Sequence, residues 1–215
     1  MNERQLQEKI IQIGNDLIAQ GLTEGTGGNI SGRLPGADWI YVSPSGIPYA
    51  EIKPEDLVKI DLKGEIIGGT RKPSIEHNLH LKVFQNRPEV NGVIHTHSTY
   101  ASAMATLHRE IPPILDSMVA SFGGPLRVAK YATMGSMELA ENVNEILKTD
   151  NGALLANHGA IAVGTDLDQA MRRCHLIEKV SQIMLFASCA GTPVAISEEN
   201  IKKALAFLRA NYGQK

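Results

Sequence analysis

Residues 153–163, Ala153-Leu154-Leu155-Ala156-Asn157-His158-Gly159-Ala160-Ile161-Ala162-Val163, are two short apolar runs on either side of the turn Asn157-His158-Gly159. Strands joined by so short a turn must be antiparallel, because a parallel pair needs a crossover of a dozen or more residues. The stretch 57–67 repeats the pattern: Leu57 to Leu62 reads as a strand, and Lys63-Gly64 turns it into Glu65-Ile66-Ile67. Trp39 to Ser43 and the run from Val90 to His97 add two further strands. Helical spacing interleaves with them. It is carried by Leu6, Ile10, Ile13, Leu17 and Ile18, with Gly21 as the stop, and by Met137 to Leu147. Further helices are expected from Pro73 to about Gln85, Ser98 to Leu107, Asp166 to Ala190 and Ser197 to Asn211. The expectation is one α/β domain over residues 1–215, in three α/β/α layers with a mixed, largely antiparallel central sheet.

The composition suits a soluble globular protein: 43% hydrophobic and 20% charged residues in a chain of 215. A formal net charge of −2 gives no long-range attraction to nucleic acid or to an anionic membrane, so neither is expected as a partner. No apolar stretch reaches the length of a bilayer span, and Met1-Asn2-Glu3-Arg4-Gln5 leads into an amphipathic helix rather than a secretory core. Cys174 and Cys189 fall in one helical stretch, about 22 Å apart along a straight helix, too far to bridge. Reduced thiols and a cytoplasmic location are the simpler reading.

Three histidines draw the chemistry together. His95 and His97 follow the apolar run Val90-Asn91-Gly92-Val93-Ile94, and residues two apart on a strand share one face. Alone, such a pair fits either half of a metal site or two histidines satisfied in a core. His158 fits a turn facing water or a third ligand presented at a sheet end. Together the three supply nitrogen ligands and leave a coordination position open, as a catalytic Zn²⁺ site does. Glu76, at the start of the preceding helix, suits a fourth ligand or a general base, and equally a helix N-terminal acid. His80, one turn later, is placed to orient it.

Donor-rich loops suggest an anion nearby. Gly25-Thr26-Gly27-Gly28-Asn29 offers backbone N–H groups, with Thr26 and Asn29 as side-chain donors. Ser43, Ser45 and Gly46 form a second such loop, and Ser74 is expected at a helix N-terminus. Backbone amides bind phosphate without a basic patch, which suits the near-neutral charge.

These motifs, taken in order, resemble the class II aldolase/adducin-head family, and in length and order they are most similar to its bacterial L-fuculose-1-phosphate aldolases. The shared pattern comprises Gly-Thr-Gly-Gly-Asn-Ile-Ser at 25–31, Ser-Pro-Ser-Gly-Ile-Pro-Tyr at 43–49 and Pro-Ser-Ile-Glu at 73–76. It continues through His-Thr-His at 95–97, Tyr-Ala-Thr-Met-Gly-Ser at 131–136 and Asn-His-Gly at 157–159. The resemblance implies a homotetramer with active sites at subunit interfaces and a zinc-dependent cleavage of a ketose 1-phosphate to dihydroxyacetone phosphate and an aldehyde. It implies Zn²⁺, or another divalent metal such as Mn²⁺ or Co²⁺, on His95, His97 and His158, with Glu76 as fourth ligand or base. It places Thr26, Gly27, Asn29, Ser43, Ser45, Gly46 and Ser74 around the phosphate.

Two departures stand out. The family's paired serines are here Ser74 and Ile75. The tyrosine expected after an Ile-Pro pair is absent from Ile111-Pro112-Pro113-Ile114-Leu115-Asp116-Ser117. Asp116, or Tyr212 in the C-terminal tail, is the candidate replacement as the acid that serves the aldehyde oxygen. Related reactions share the histidines: methylthioribulose-1-phosphate dehydration, phosphotetronate decarboxylation and ribulose-5-phosphate 4-epimerisation. The epimerases' Gly-Thr-Thr-His-Ala-Asp stretch is missing here. A metal-free interaction module like the adducin head predicts loss of the histidines or the glutamate, and all four are present.

Overall fold

The computed structural model describes residues 1–211. Within them the strands are β1 (Asn29–Gly32), β2 (Trp39–Val42), β3 (Val58–Asp61), β4 (Ile66–Gly68), β5 (Gly92–Thr96), β6 (Val128–Ala129), β7 (Gly152–Leu155) and β8 (Gly159–Gly164). The helices are α1 (Glu3–Ala19), α2 (His77–Asn86), α3 (Thr99–Thr106), α4 (Asp116–Phe122), α5 (Met137–Leu147), α6 (Leu167–Ala190) and α7 (Glu198–Asn211). The eight strands form one sheet in the order β4-β3-β2-β1-β5-β8-β7-β6. Every pairing is antiparallel except β6 with β7, so the sheet is mixed and largely antiparallel as expected.

Alternation along the strands sorts the core into two layers. Ile94, Ala160 and Ala162 face a cluster built from Leu6, Ile10 and Leu17 of α1, Met104 of α3, and Cys174 and Ile177 of α6. Val93, Ile161 and Val163 face the other way, onto Leu79, Val83 and Phe84 of α2 and Leu139, Val143 and Leu147 of α5. Helices therefore cover both faces, giving three layers. His95 shares the parity of Val93, which turns it toward the layer that contains α2.

One expected boundary is corrected. The helix anticipated from Pro73 begins at His77, with Glu76 as its N-cap. Pro73 instead forms a bridge with Pro44, Ser74 N–H donates to the Ser43 carbonyl, and Ser45 N–H donates to the Lys72 carbonyl. A proline fixes φ without demanding a helix, and here cross-chain hydrogen bonds keep the segment extended. Ser74 therefore lies in an extended segment ahead of the helix. In the poorly patterned region 114–133, α4 ends at Gly123 in the left-handed conformation and the chain turns into β6. Cys174 is buried and Cys189 exposed on α6, both free. No described helix is long and apolar enough to cross a membrane.

Candidate active site

The β7–β8 hairpin presents His158 at the end of the sheet. Asn157 takes up a left-handed conformation (φ 54°), which asparagine tolerates better than most residues, and His158 N–H donates back to the Leu155 carbonyl. β8 runs beside β5 in the register Thr96↔Ala160 and His95↔Ile161, which sets His158 against the end of β5. The ring centroids of His95, His97 and His158 lie 4.7 to 5.1 Å apart, and one nitrogen from each falls within 4.8 Å of the others.

The hydrogen on His95 can be assigned. Its Nδ1 lies 2.9 Å from the Ala160 carbonyl, which only accepts, so Nδ1 carries the hydrogen. Burial, with His158 and His97 close by, holds this ring well below the usual histidine range and so neutral. Nε2 then carries the lone pair, and it points at Nε2 of His97 3.0 Å away. Burial and the neighbouring His158 lower His97 as well. Neutral imidazoles held in one tautomer by a carbonyl are the form in which histidine binds metals.

Glu76 closes the group. Its Oε2 lies 3.3 Å from His95 Nε2, and its Oε1 lies 3.6 Å from His158 Nε2. The carboxyl group is buried, and Oε1 has no hydrogen-bond partner. An unpartnered buried carboxylate oxygen costs at least ~1–3 kcal/mol, a deficit that a cation at this point removes. Three imidazole nitrogens and one carboxylate oxygen suit a divalent ion of the zinc type, so these residues fit a metal.

The donor loops converge on the same place. Asn29 Nδ2 donates to Glu76 Oε2 at 2.8 Å, which ties the glycine loop to the carboxylate. A β-carbon on Gly28 (φ +68°) would lie 2.6 Å from the His95 carbonyl oxygen, and one on Gly27 would lie 2.9 Å from His97 Nδ1. The glycines thus let this loop lie directly on β5, a reason beyond anion binding. Ser43 and Ser74 sit in neighbouring extended segments, their hydroxyls accepting from Ile30 N–H and Glu76 N–H respectively. Each keeps its own hydrogen to donate. Thr26, Ser45 and Gly46 are exposed at the loop tips.

The model of the family described as class II aldolase and adducin N-terminal domain matches residues 8–185. The chain belongs to that family.

Among class II aldolases, the chain is 39% identical over 208 residues to 5-deoxy-D-ribulose 1-phosphate aldolase of Bacillus thuringiensis serovar kurstaki, covering 96% of both chains. It is 34% identical over 206 residues to L-fuculose phosphate aldolase of Escherichia coli K12, covering 95% of this chain and 94% of that one. A solved structure of L-fuculose 1-phosphate aldolase superposes with a TM-score of 0.92 at 34% identity, over 97% of this chain and 98% of the other. The protein is thus a class II aldolase of the fuculose-phosphate aldolase type, a lyase.

In this class II aldolase Asp116, the candidate acid within the described residues, lines a different part of the chain from the histidines. Asp116 opens α4, exposed, in a groove it shares with Gln169, Arg172 and Arg173 of α6. Arg173 donates to the Val163 carbonyl, five residues along β8 from His158, or about 16 Å of strand. Within one chain Asp116 is not among the groups gathered at the histidines or at Glu76. Tyr212 lies outside the described residues. His80 reaches Glu76 through Asn29 rather than directly. Two supports escaped the sequence reading. Glu178 of α6 accepts the N–H groups of Tyr100 and Ala101 at the start of α3, just after His97. Arg33 ties the end of β1 to the carbonyls that follow α2. Neither carries a local sequence signal, since each is defined by partners more than fifty residues away.

Proposed function

We propose that this protein reversibly cleaves a ketose 1-phosphate to dihydroxyacetone phosphate and an aldehyde, using Zn²⁺ held by His95, His97 and His158. The observation that carries the reading is the buried, unpartnered Oε1 of Glu76 beside the three clustered imidazoles of His95, His97 and His158. When bound, Zn²⁺ supplies a Lewis acid toward the carbonyl and adjacent hydroxyl oxygens of the sugar, and Mn²⁺ or Co²⁺ suits the same ligands. Glu76 serves as the fourth ligand at rest and the base in turnover. In the cleavage direction the C3–C4 bond breaks, its electron pair stays at C3, and C4 leaves as the aldehyde. Glu76 delivers a proton to C3, and in synthesis it takes the same proton back. The C4 hydroxyl proton passes to Asp116 or Tyr212, which we assign to a neighbouring subunit's site because Asp116 lies away from the histidines of its own chain.

The phosphate is held by Thr26, Gly27, Asn29, Ser43, Ser45, Gly46 and Ser74, with the second hydrogen of Asn29 Nδ2 and the hydroxyl hydrogens of Ser43 and Ser74 as donors. The relatives named for 5-deoxyribulose and fuculose phosphates support a deoxy-ketose 1-phosphate as substrate. We take residues 1–215 as a single domain that works as a cytoplasmic homotetramer with active sites between subunits. The test is direct. His95→Ala and His158→Ala should each lose bound zinc, read by elemental analysis, together with aldol cleavage. Full activity in a zinc-free preparation of either variant overturns the reading. A panel of aldehydes offered with dihydroxyacetone phosphate then names the substrate, with epimerisation, dehydration and decarboxylation assayed alongside.

A further inference from the structure

Behind Glu76 a line of buried polar groups has only one consistent arrangement of hydrogens. Asn29 places its amide nitrogen 2.8 Å from Glu76 Oε2 and its carbonyl oxygen 2.5 Å from Nε2 of His80. The far side of the His80 ring, Nδ1, lies 2.6 Å from the hydroxyl of Ser31. His80 and Ser31 are wholly buried, and Asn29 nearly so. A carboxylate oxygen accepts, so Asn29 must donate to Glu76, and its amide cannot be turned over without setting oxygen against oxygen. Asn29 Oδ1 then requires a donor, which makes His80 Nε2 carry the hydrogen. His80 Nδ1 is left as an acceptor, and Ser31 donates to it. The direction runs without a break from Ser31 through His80 and Asn29 to Glu76.

We infer that His80 is a positioning residue for the reaction: it locks the Asn29 amide so that Oε2 of Glu76 is held and Oε1 stays aimed at the three histidines. His80 touches none of the histidine nitrogens and meets the site only through Asn29. Its effect passes through one amide. Without its N–H, Asn29 Oδ1 is a buried acceptor with no donor, the amide is free to turn, and the carboxylate loses its fixed aim. The inference rests on Glu76 acting as the base.

The experiment uses the full-length zinc-loaded protein. First, ¹⁵N-resolved imidazole spectra of the wild type should show His80 as the Nε2–H tautomer, and an Nδ1–H tautomer overturns the inference with no variant needed. Second, His80→Leu should lower kcat by about 10- to 100-fold with bound zinc within about twofold, and KM should rise by less than kcat falls, because Asn29 also serves the phosphate. His80→Gln, which retains a donor toward Asn29, should recover most of that loss. Third, combining His80→Leu with Asn29→Leu should cost little more than Asn29→Leu alone, because both break the same chain. Wild-type kcat in folded His80→Leu, or losses that multiply in the double variant, overturn it. Glu76→Gln separates the two readings. If it is inactive while His80→Leu is not, only the positioning role fails. If Glu76→Gln is fully active, the base assignment fails and the positioning role falls with it.

Discussion

Gly159 lies so close to Thr96 that a β-carbon on it would stand 2.2 Å from the Thr96 carbonyl oxygen. The obstacle is backbone in a paired strand, so it cannot swing aside. This contact holds β8 against β5 at the point where His158 meets His95 and His97.

Gly159→Ala is therefore expected to separate the two strands at the histidine end of the sheet. Overpacking of this kind costs about 1–3 kcal/mol or more. Zinc content and stability should fall together, measured by elemental analysis and urea denaturation. Unchanged zinc content at unchanged stability would show that this contact does not set the histidine spacing.

Glu178 accepts two backbone N–H groups at 2.9 and 2.8 Å, those of Tyr100 and Ala101, satisfying the open end of α3. Glu178→Ala leaves both donors unpaired, with an expected loss of about 1–3 kcal/mol. Glu178→Gln should recover part of it. The midpoint of chemical denaturation reads both effects.

Arg33 is buried and donates to the carbonyls of Val90, Arg87 and Pro88 at 2.9 to 3.0 Å, with Phe84 beneath its guanidinium. Arg33→Met keeps the apolar stem and strands those carbonyls. A loss of about 2–4 kcal/mol is expected, with KM unchanged in the surviving folded protein. A KM shift of tenfold would place Arg33 closer to the chemistry than its contacts do.

Acid should unfold the metal-free protein through its buried histidines. Burial lowers His80 to about 3, whereas an unfolded chain takes up that proton near 6.5. Between these values the unfolded state binds more protons, so stability rises with pH across the window. It is fully present above about 6.5 and is lost as pH falls toward 3. Thermal unfolding at several pH values should show this slope, and His80→Gln should flatten it between pH 6.5 and 5.

The strand–turn–strand at 153–163 and the helical spacing of 137–147 and 166–190 were legible because each depends on neighbours in sequence. The period of apolar residues decides which face is buried, and a short turn decides that strands run antiparallel. The start of α2 was not legible. Pro73-Ser74 reads as a helix opening until Ser43 and Lys72 take up the hydrogen bonds that hold the segment extended. His80 was visible one turn after Glu76, but its route through Asn29 was not, since Asn29 lies 51 residues away in sequence.

By itself the sequence determined an α/β chain with a hairpin carrying His158, a strand with His95-Thr96-His97 at its end, and the ligand and donor types that the proposed metal and phosphate sites require. Period and turn chemistry are local, and a residue's ligand atoms travel with it. Only the tertiary structure decided that β1, β5 and β8 lie side by side and that Glu76 faces the histidines with one oxygen unpartnered. It also decided that the side chain of Asn29 serves the carboxylate and that Asp116 stands elsewhere in the chain. Those outcomes depend on which strands pair and which layer each side chain enters, and the paired segments are separated by scores of residues. The register from Asn29 to His95 and from His95 to Ile161 therefore turns a list of ligand-bearing residues into one site.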